Sequence, residues 1–240
     1  MGRMRSVLGI SFFFMAAMTI WPQEYRVALK DLPTTHFYLD LFNAIASEMN
    51  VKLNVVILPA ARADYLIDTN RVDIDVPVLD VEDFGRSSRQ CDYGSTILYE
   101  SAFVLFSAKG KEISIKNLMD GNSRRYSIEA DIAIADQLGF SASPSTTIEG
   151  SLAKVNEGKI DGYIFSQTST DPIAHKLSLP NVKRQFYTKF YLYYALKKGE
   201  RGGTLDKIIT EGINKLKGNG KYEQTMGELI AAAKYNNWQP

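Results

Sequence analysis

Cysteine occurs once, at Cys91, so no internal disulfide staples this chain and no lipid-modified cysteine can follow its N-terminal apolar run. Histidine occurs twice, at His36 and His175, too far apart and too few for metal-ligand spacing. An excess of charge is missing as well. The 28 basic and 27 acidic residues leave a formal net charge of +1, without the basic balance of a nucleic-acid binder. No low-complexity tract and no GxSxG, HExxH, Walker or GxGxxG pattern occurs. Together these absences set aside disulfide scaffolds, metal sites, nucleotide cradles and the familiar nucleophile motifs. They lead to the expectation of a chain that is not an enzyme and holds no metal or cofactor.

One long apolar run is present. Arg3 and Arg5 precede VLGISFFFMAAMTIW, a basic start and an apolar stretch of secretory type, so residues 1–22 are expected to be a signal peptide. The run is short beside the ~20 residues of a membrane span, and an uncleaved anchor is the alternative. Either way the rest of the chain is expected outside the cytoplasm, in the periplasm of a double-membrane cell.

With 45% hydrophobic residues over 240 positions, the chain can bury one large core or two modest ones. Residues 25–29 read as a strand, followed by a polar loop in which Thr35 is placed to cap the next helix. From Tyr38 the apolar positions Leu41, Phe42, Ile45, Ala46 and Met49 recur at helical spacing up to Asn50. A β-branched strand over 53–58 precedes Pro59, which suits a helix start, and that helix runs to about Asp68. Val72, Ile74, Val76 and Val78 then alternate as a third strand. Strand–helix alternation of this kind argues for a parallel sheet, with ligands at the carboxyl ends of its strands. Residues 97–106 and 186–196 read as two long strands that cross between lobes. Between them lie a short helix or turn over 114–119, a strand beginning at 126–128, helices over 131–138 and 148–157, a strand over 160–165 and a helical stretch over 171–177. Closing helices are expected over 204–216 and 222–235. The fold class that follows is α/β and two-lobed. Residues 24–100 plus 191–240 form one lobe and 101–190 the other.

Two stretches repeat one design, a helix, a polar turn and an Asp-led strand: PAARADYLIDTNRVDID from Pro59, and SLAKVNEGKIDGYIF from Ser151. With the segment leading into ESAFVLFSAKG and the closing GNGKYEQTMGELI, they resemble the periplasmic solute-binding proteins of type II fold, family 3, the polar amino acid group. That resemblance implies a ligand cleft between the lobes, two hinge-crossing strands, no catalytic residue and no cofactor. It also implies a monomer that passes a small polar solute to an ABC transporter permease, or reports it to a membrane receptor.

The same resemblance points to candidate ligand contacts. An arginine of the first lobe would clamp a carboxylate, and Arg86 and Arg89 both stand near the matching position. Arg62, in the first turn after Pro59, would add charge to a helix N-terminus. Asp75 would touch ligand or pair with a cleft arginine, while Asp73 would end the turn or pair with Arg71. Phe37 and Tyr99 would supply flat packing surface. Two departures are visible. The second-lobe helix start carries Glu129 and Asp131, with Asp131 read as a cap, and the position where amino-acid binders hold the ammonium carries neutral Ser166 and Gln167. Glu129 could then take the ammonium instead. A lyase-like enzyme using Glu100 and Glu129 as an acid–base pair is the remaining alternative.

Overall fold

The computed structural model describes residues 24–80, 90–111, 113–120, 125–132, 134–135, 138–145 and 147–240. The expected signal segment and both Arg86 and Arg89 lie outside these residues.

The chain opens with β1 (Glu24–Lys30), α1 (Thr35–Met49), β2 (Lys52–Leu58), α2 (Ala60–Asp68) and β3 (Ile74–Leu79). β1 pairs parallel with both β2 and β3, so the expected strand–helix alternation produces the expected parallel unit. The apolar stripe of α1 is buried through Tyr38, Leu41, Phe42 and Ile45, and Asn50 ends the helix in the left-handed conformation that Asn tolerates. Thr35 is the first residue of the helix rather than its cap. Its hydroxyl accepts from Leu32 N at 2.8 Å and lies 2.7 Å from the carbonyls of Lys30 and Leu32, closing the loop after β1. Asp73 pairs with Arg26 and Lys197 rather than Arg71, whose guanidinium lies over the Tyr65 ring.

β4 (Cys91–Tyr93) and β5 (Tyr99–Ala108) follow, then α3 (Ile115–Met119), β6 (Ile128–Asp131), β7 (Ser143–Ser145), α4 (Ile148–Asn156), β8 (Gly162–Ser166) and α5 (Gln167–Ala174). β9 (Val182–Lys197), α6 (Thr204–Gly218) and α7 (Lys221–Ala233) complete the fold. The sheet runs β2-β1-β3-β9-β5-β8-β6-β7, with β4 paired to β9. Among the described residues of 131–138 none is in an α-helix, against the expected helix there. Asp131 is the last residue of β6, and the described residues after it lie in turns, a bend and a single 3-10 position. Ile134, Ala135 and Leu138 are nonetheless buried. Burial of a turn imitated the spacing of a helix.

Three hydrophobic cores surround this sheet, a small one that packs α2 against β1, β3 and β9, and two larger ones that flank its middle. Of the larger two, one gathers α1, α6 and α7 around β1 and β3, and the other gathers α3, α4 and β8. β5 and β9 belong to both. β5 gives Tyr99 to the first core and Phe103, Leu105 and Phe106 to the second, and β9 gives Leu192 and Tyr194 to the first and Tyr187 and Phe190 to the second. The two strands pair antiparallel over the whole crossing, from Tyr99↔Leu192 to Ala108↔Val182. No helix among the described residues is long and apolar enough to cross a membrane.

Candidate functional site

Where the two larger cores face each other lies a partly open cavity of about 50 Å³. On the side of the first core lie Lys30 at the end of β1, Leu32 and Thr34 in the loop after it, Tyr38 of α1, Ala60 at the start of α2, and Pro77 and Leu79 of β3. The second contributes Phe103, Ile134 and Phe165, with Ser166, Thr168 and Ser169 at the start of α5. Tyr99 and Leu192 line it from the crossing strands. The cavity therefore sits at the carboxyl ends of parallel strands, where open α/β sheets place ligands. A wider, open concavity of about 600 Å³ lies on the flank of the second core beside Lys111, Lys183 and Gln239. It draws on one core and on the C-terminal tail alone, so we assign the site to the space between the cores.

Charge in the cavity wall is already neutralised. The Lys30 ammonium lies 2.8 Å from Asp64 and 3.5 Å from Asp75, with the lysine side chain 7% exposed and that of Asp75 fully buried. Asp75 sits in β3 opposite Ala28, on the strand next to that of Lys30. Two opposite charges on adjacent buried strands have to meet, because a lone buried charge costs several kcal/mol.

The remaining polarity is hydroxylic. Tyr38 OH and Tyr99 OH are 2.6 Å apart, Tyr99 is hydrogen-bonded to Thr168, Thr168 lies 2.7 Å from Ser166, and Ser166 lies 3.3 Å from Ser101. This relay begins on α1 in the first core and ends on β8 and β5 in the second. Burial pushes the phenols of Tyr38 and Tyr99 up from their ordinary value, so both remain protonated donors. Pro77 has no N–H, and it falls where β3 slips register against β9, between Asp75 and Val78, a position at which a central strand can accept proline.

Of the residues expected from the sequence, Tyr99 and Ser166 line the cavity, and Asp75 lies behind it as a counter-ion of Lys30. Arg62 is exposed, its guanidinium 5.4 Å over the Tyr65 ring, and is not part of the lining. Phe37 is half-buried against the first core with its ring 4.0 Å from His36. Glu129 accepts from Ser151 and Lys154, at 2.7 Å each, and is held against α4. Glu100 pairs with Lys189 at 2.7 Å on the crossing strands. Neither glutamate lines the cavity. Gln167 is turned toward α7, where its amide donates to the carbonyls of Ala232 and Lys234. Sequence reasoning missed Lys30, Thr34 and Thr168. The first was discoverable, since a lysine closing an apolar strand and an aspartate inside a neighbouring apolar strand have few other ways to be satisfied.

No protein-family profile matches the sequence, and no curated protein matches it. Solved structures do match by shape. The GluR0 ligand-binding core from Nostoc punctiforme, in complex with L-glutamate, superposes with a TM-score of 0.66 at 16% identity, covering 85% of this chain and 98% of its own. The fold is that of a type II periplasmic binding protein. A putative L-cystine ABC transporter protein from Listeria monocytogenes gives 0.66 at 14% identity over 90% of this chain and all of its own. A histidine kinase sensor domain with similarity to periplasmic binding proteins gives 0.68 at 16% identity, over 86% and 96%. Identities this low speak to architecture, and the ligands of those proteins belong to them.

Proposed function

We propose that this chain is an exported solute-binding protein that captures a small polar solute, an amino acid or a related organic molecule, between two lobes. The lobes are 24–100 plus 191–240 and 101–190, residues 1–22 direct export, and a membrane permease of an ABC importer is the partner. The observation that carries the reading is the cavity between the cores, lined from both sides and bridged by one hydroxyl relay. A site whose halves belong to different cores changes when the cores move, which is what a capture protein needs and a rigid enzyme pocket does not. At about 50 Å³ the space is far below the ~300–1,000 Å³ of drug-sized pockets. The solute is therefore small, or enters with the lobes further apart.

Sensing is the second reading, in which the same lobes present ligand state to a receptor. The sensor-domain likeness favours it. A thermal-shift screen of the chain against amino acids, polyamines, organic acids and short peptides tests both readings. A true ligand at 100-fold its dissociation constant stabilises the native state by ~2.7 kcal/mol. A melting temperature that stays constant across the panel overturns capture of these solute classes. A hit followed by co-purification with a permease or with a receptor separates transport from sensing.

A further inference from the structure

Beyond Ala233 the chain leaves the core that α7 belongs to. Tyr222, Met226 and Leu229 of α7 pack in the first core, yet Tyr235 and Trp238 pack against the second. The Trp238 ring lies on His175 with centroids 3.7 Å apart, and Tyr235 meets Phe186 edge-on at 5.2 Å. Beneath both aromatic rings lies Arg184, its guanidinium 5.1 Å from the Tyr235 centroid and 5.9 Å from that of Trp238.

Arg184 has a fully buried side chain. A buried guanidinium is costly unless every proton finds an acceptor. Here the protons are all used: two on the Asp171 carboxylate at 2.9 Å, one on Gln167 at 2.5 Å, and two on the tail carbonyls of Asn236 and Trp238 at 2.8 and 3.4 Å. The Gln239 amide completes the dock, accepting from Arg184 N at 2.9 Å and donating to Arg184 O at 2.8 Å. The second core thus relies on a tail that arrives from the first.

Gln167 ties this arrangement to the cleft. Its amide NH₂ donates to Ala232 and Lys234, at the end of α7, at 2.7 and 2.8 Å. Its neighbours Ser166 and Thr168 line the cavity. The first turn of α5 therefore faces the cavity with one set of side chains and grips α7 with another. The cores cannot separate at α5 without breaking these bonds or pulling the tail from Arg184.

We infer that residues 234–240 are a clasp, a bridge outside the two crossing strands that holds the cleft shut and is released when it opens. This inference rests on the two-lobed reading proposed above, but its test needs no ligand. Lys52→Cys and Lys159→Cys, both exposed and on different cores, are spin-labelled in a Cys91→Ser background, and the distance between them is measured by pulsed electron resonance. In the parent chain one short population dominates. In the Tyr235→Ala/Trp238→Ala chain the longer, open population grows about tenfold from a minor state at the per cent level. If that double variant loses cooperative unfolding, Gln167→Ala carries the same test, since it removes the α7 grip and leaves the Arg184–Asp171 pair. Distance distributions that coincide with the parent's refute the clasp whatever the ligand screen returns. A constant melting temperature in that screen refutes solute capture and leaves the distance result standing.

Discussion

Replacing Lys30 by methionine probes the cavity wall directly. Methionine fills nearly the same volume and removes only the charge. At an effective dielectric of about 20, ion contacts of 2.8 and 3.5 Å correspond to roughly 6 and 5 kcal/mol of gross attraction. Most of that offsets the cost of taking the three groups out of water. The loss on substitution is set by what the carboxylates can recover. Asp64 is 29% exposed and regains water, whereas Asp75 is fully buried and keeps a charge without its cation. The expected destabilisation is about 3 kcal/mol, the lower end of the range for breaking a buried pair. Urea unfolding at neutral pH measures it. Adding Asp75→Asn should return at least ~1 kcal/mol of the loss, because the two positions are in contact and their effects cannot add. A deficit below ~1 kcal/mol, or a double variant no better than Lys30→Met, would refute the claim that Lys30 is held as a counter-ion in the cavity wall.

Two further expectations concern the first core. Burial raises the Asp206 carboxyl, but hydrogen bonds from Ser95, Tyr194 and Gly202 outweigh it and hold the group below the ordinary carboxylate value. That contribution is present above the unfolded value and lost as pH falls through the depressed one. Asp206→Asn should therefore cost about 2 kcal/mol at pH 7, chiefly through the buried Tyr194 hydroxyl, with the gap closing in unfolding curves taken below about pH 4. Equal gaps at both pH values would sink that assignment. Gly94→Ala places a Cβ 2.2 Å from the Tyr194 ring, so that fully buried ring must move. A loss of about 1–3 kcal/mol, the usual cost of overpacking, is expected in thermal unfolding, and a neutral result would mean the ring has room to shift.

The fold was more legible than the site, for a physical reason. Helices such as α1 and α6 announce themselves because a packed helix repeats its buried face every three or four residues. β5 and β9 are long and rich in aromatic and apolar residues, which makes them legible as strands. The short strands β4 and β7 carry only three residues each, CDY and SPS, and no periodicity can emerge from three positions. Pro144 sits in β7 because β7 lies at the sheet edge, where a missing N–H is tolerated. The cavity depends on which side chains of separate elements converge, and local pattern holds little of that. Tyr99 and Ser166 were found by their place on the crossing strand and at a strand end. Arg62 drew attention through its charge, but its helix face points outward and the guanidinium settles on Tyr65. Lys30 ends an apolar strand, and its role rests on two carboxylates, Asp64 and Asp75, from separate elements that no local pattern joins to it.

The crossing strands carry one irregularity with consequences for the angle between the lobes. Phe103 faces Thr188 and Val104 faces Phe186, so Tyr187 stands opposite no residue of β5. An extra residue on one strand sharpens the local right-handed twist. Here it lies within the second core, where the Tyr187 ring stacks edge-on with Phe140. The mutual rotation of the lobes is thus written as a residue count in one strand rather than as the slackness of a linker. Deleting Tyr187 would close the bulge with Thr188 still opposite Phe103 and Phe186 opposite Val104, so it would remove the extra twist and leave the facing of every later side chain of β9 as it is.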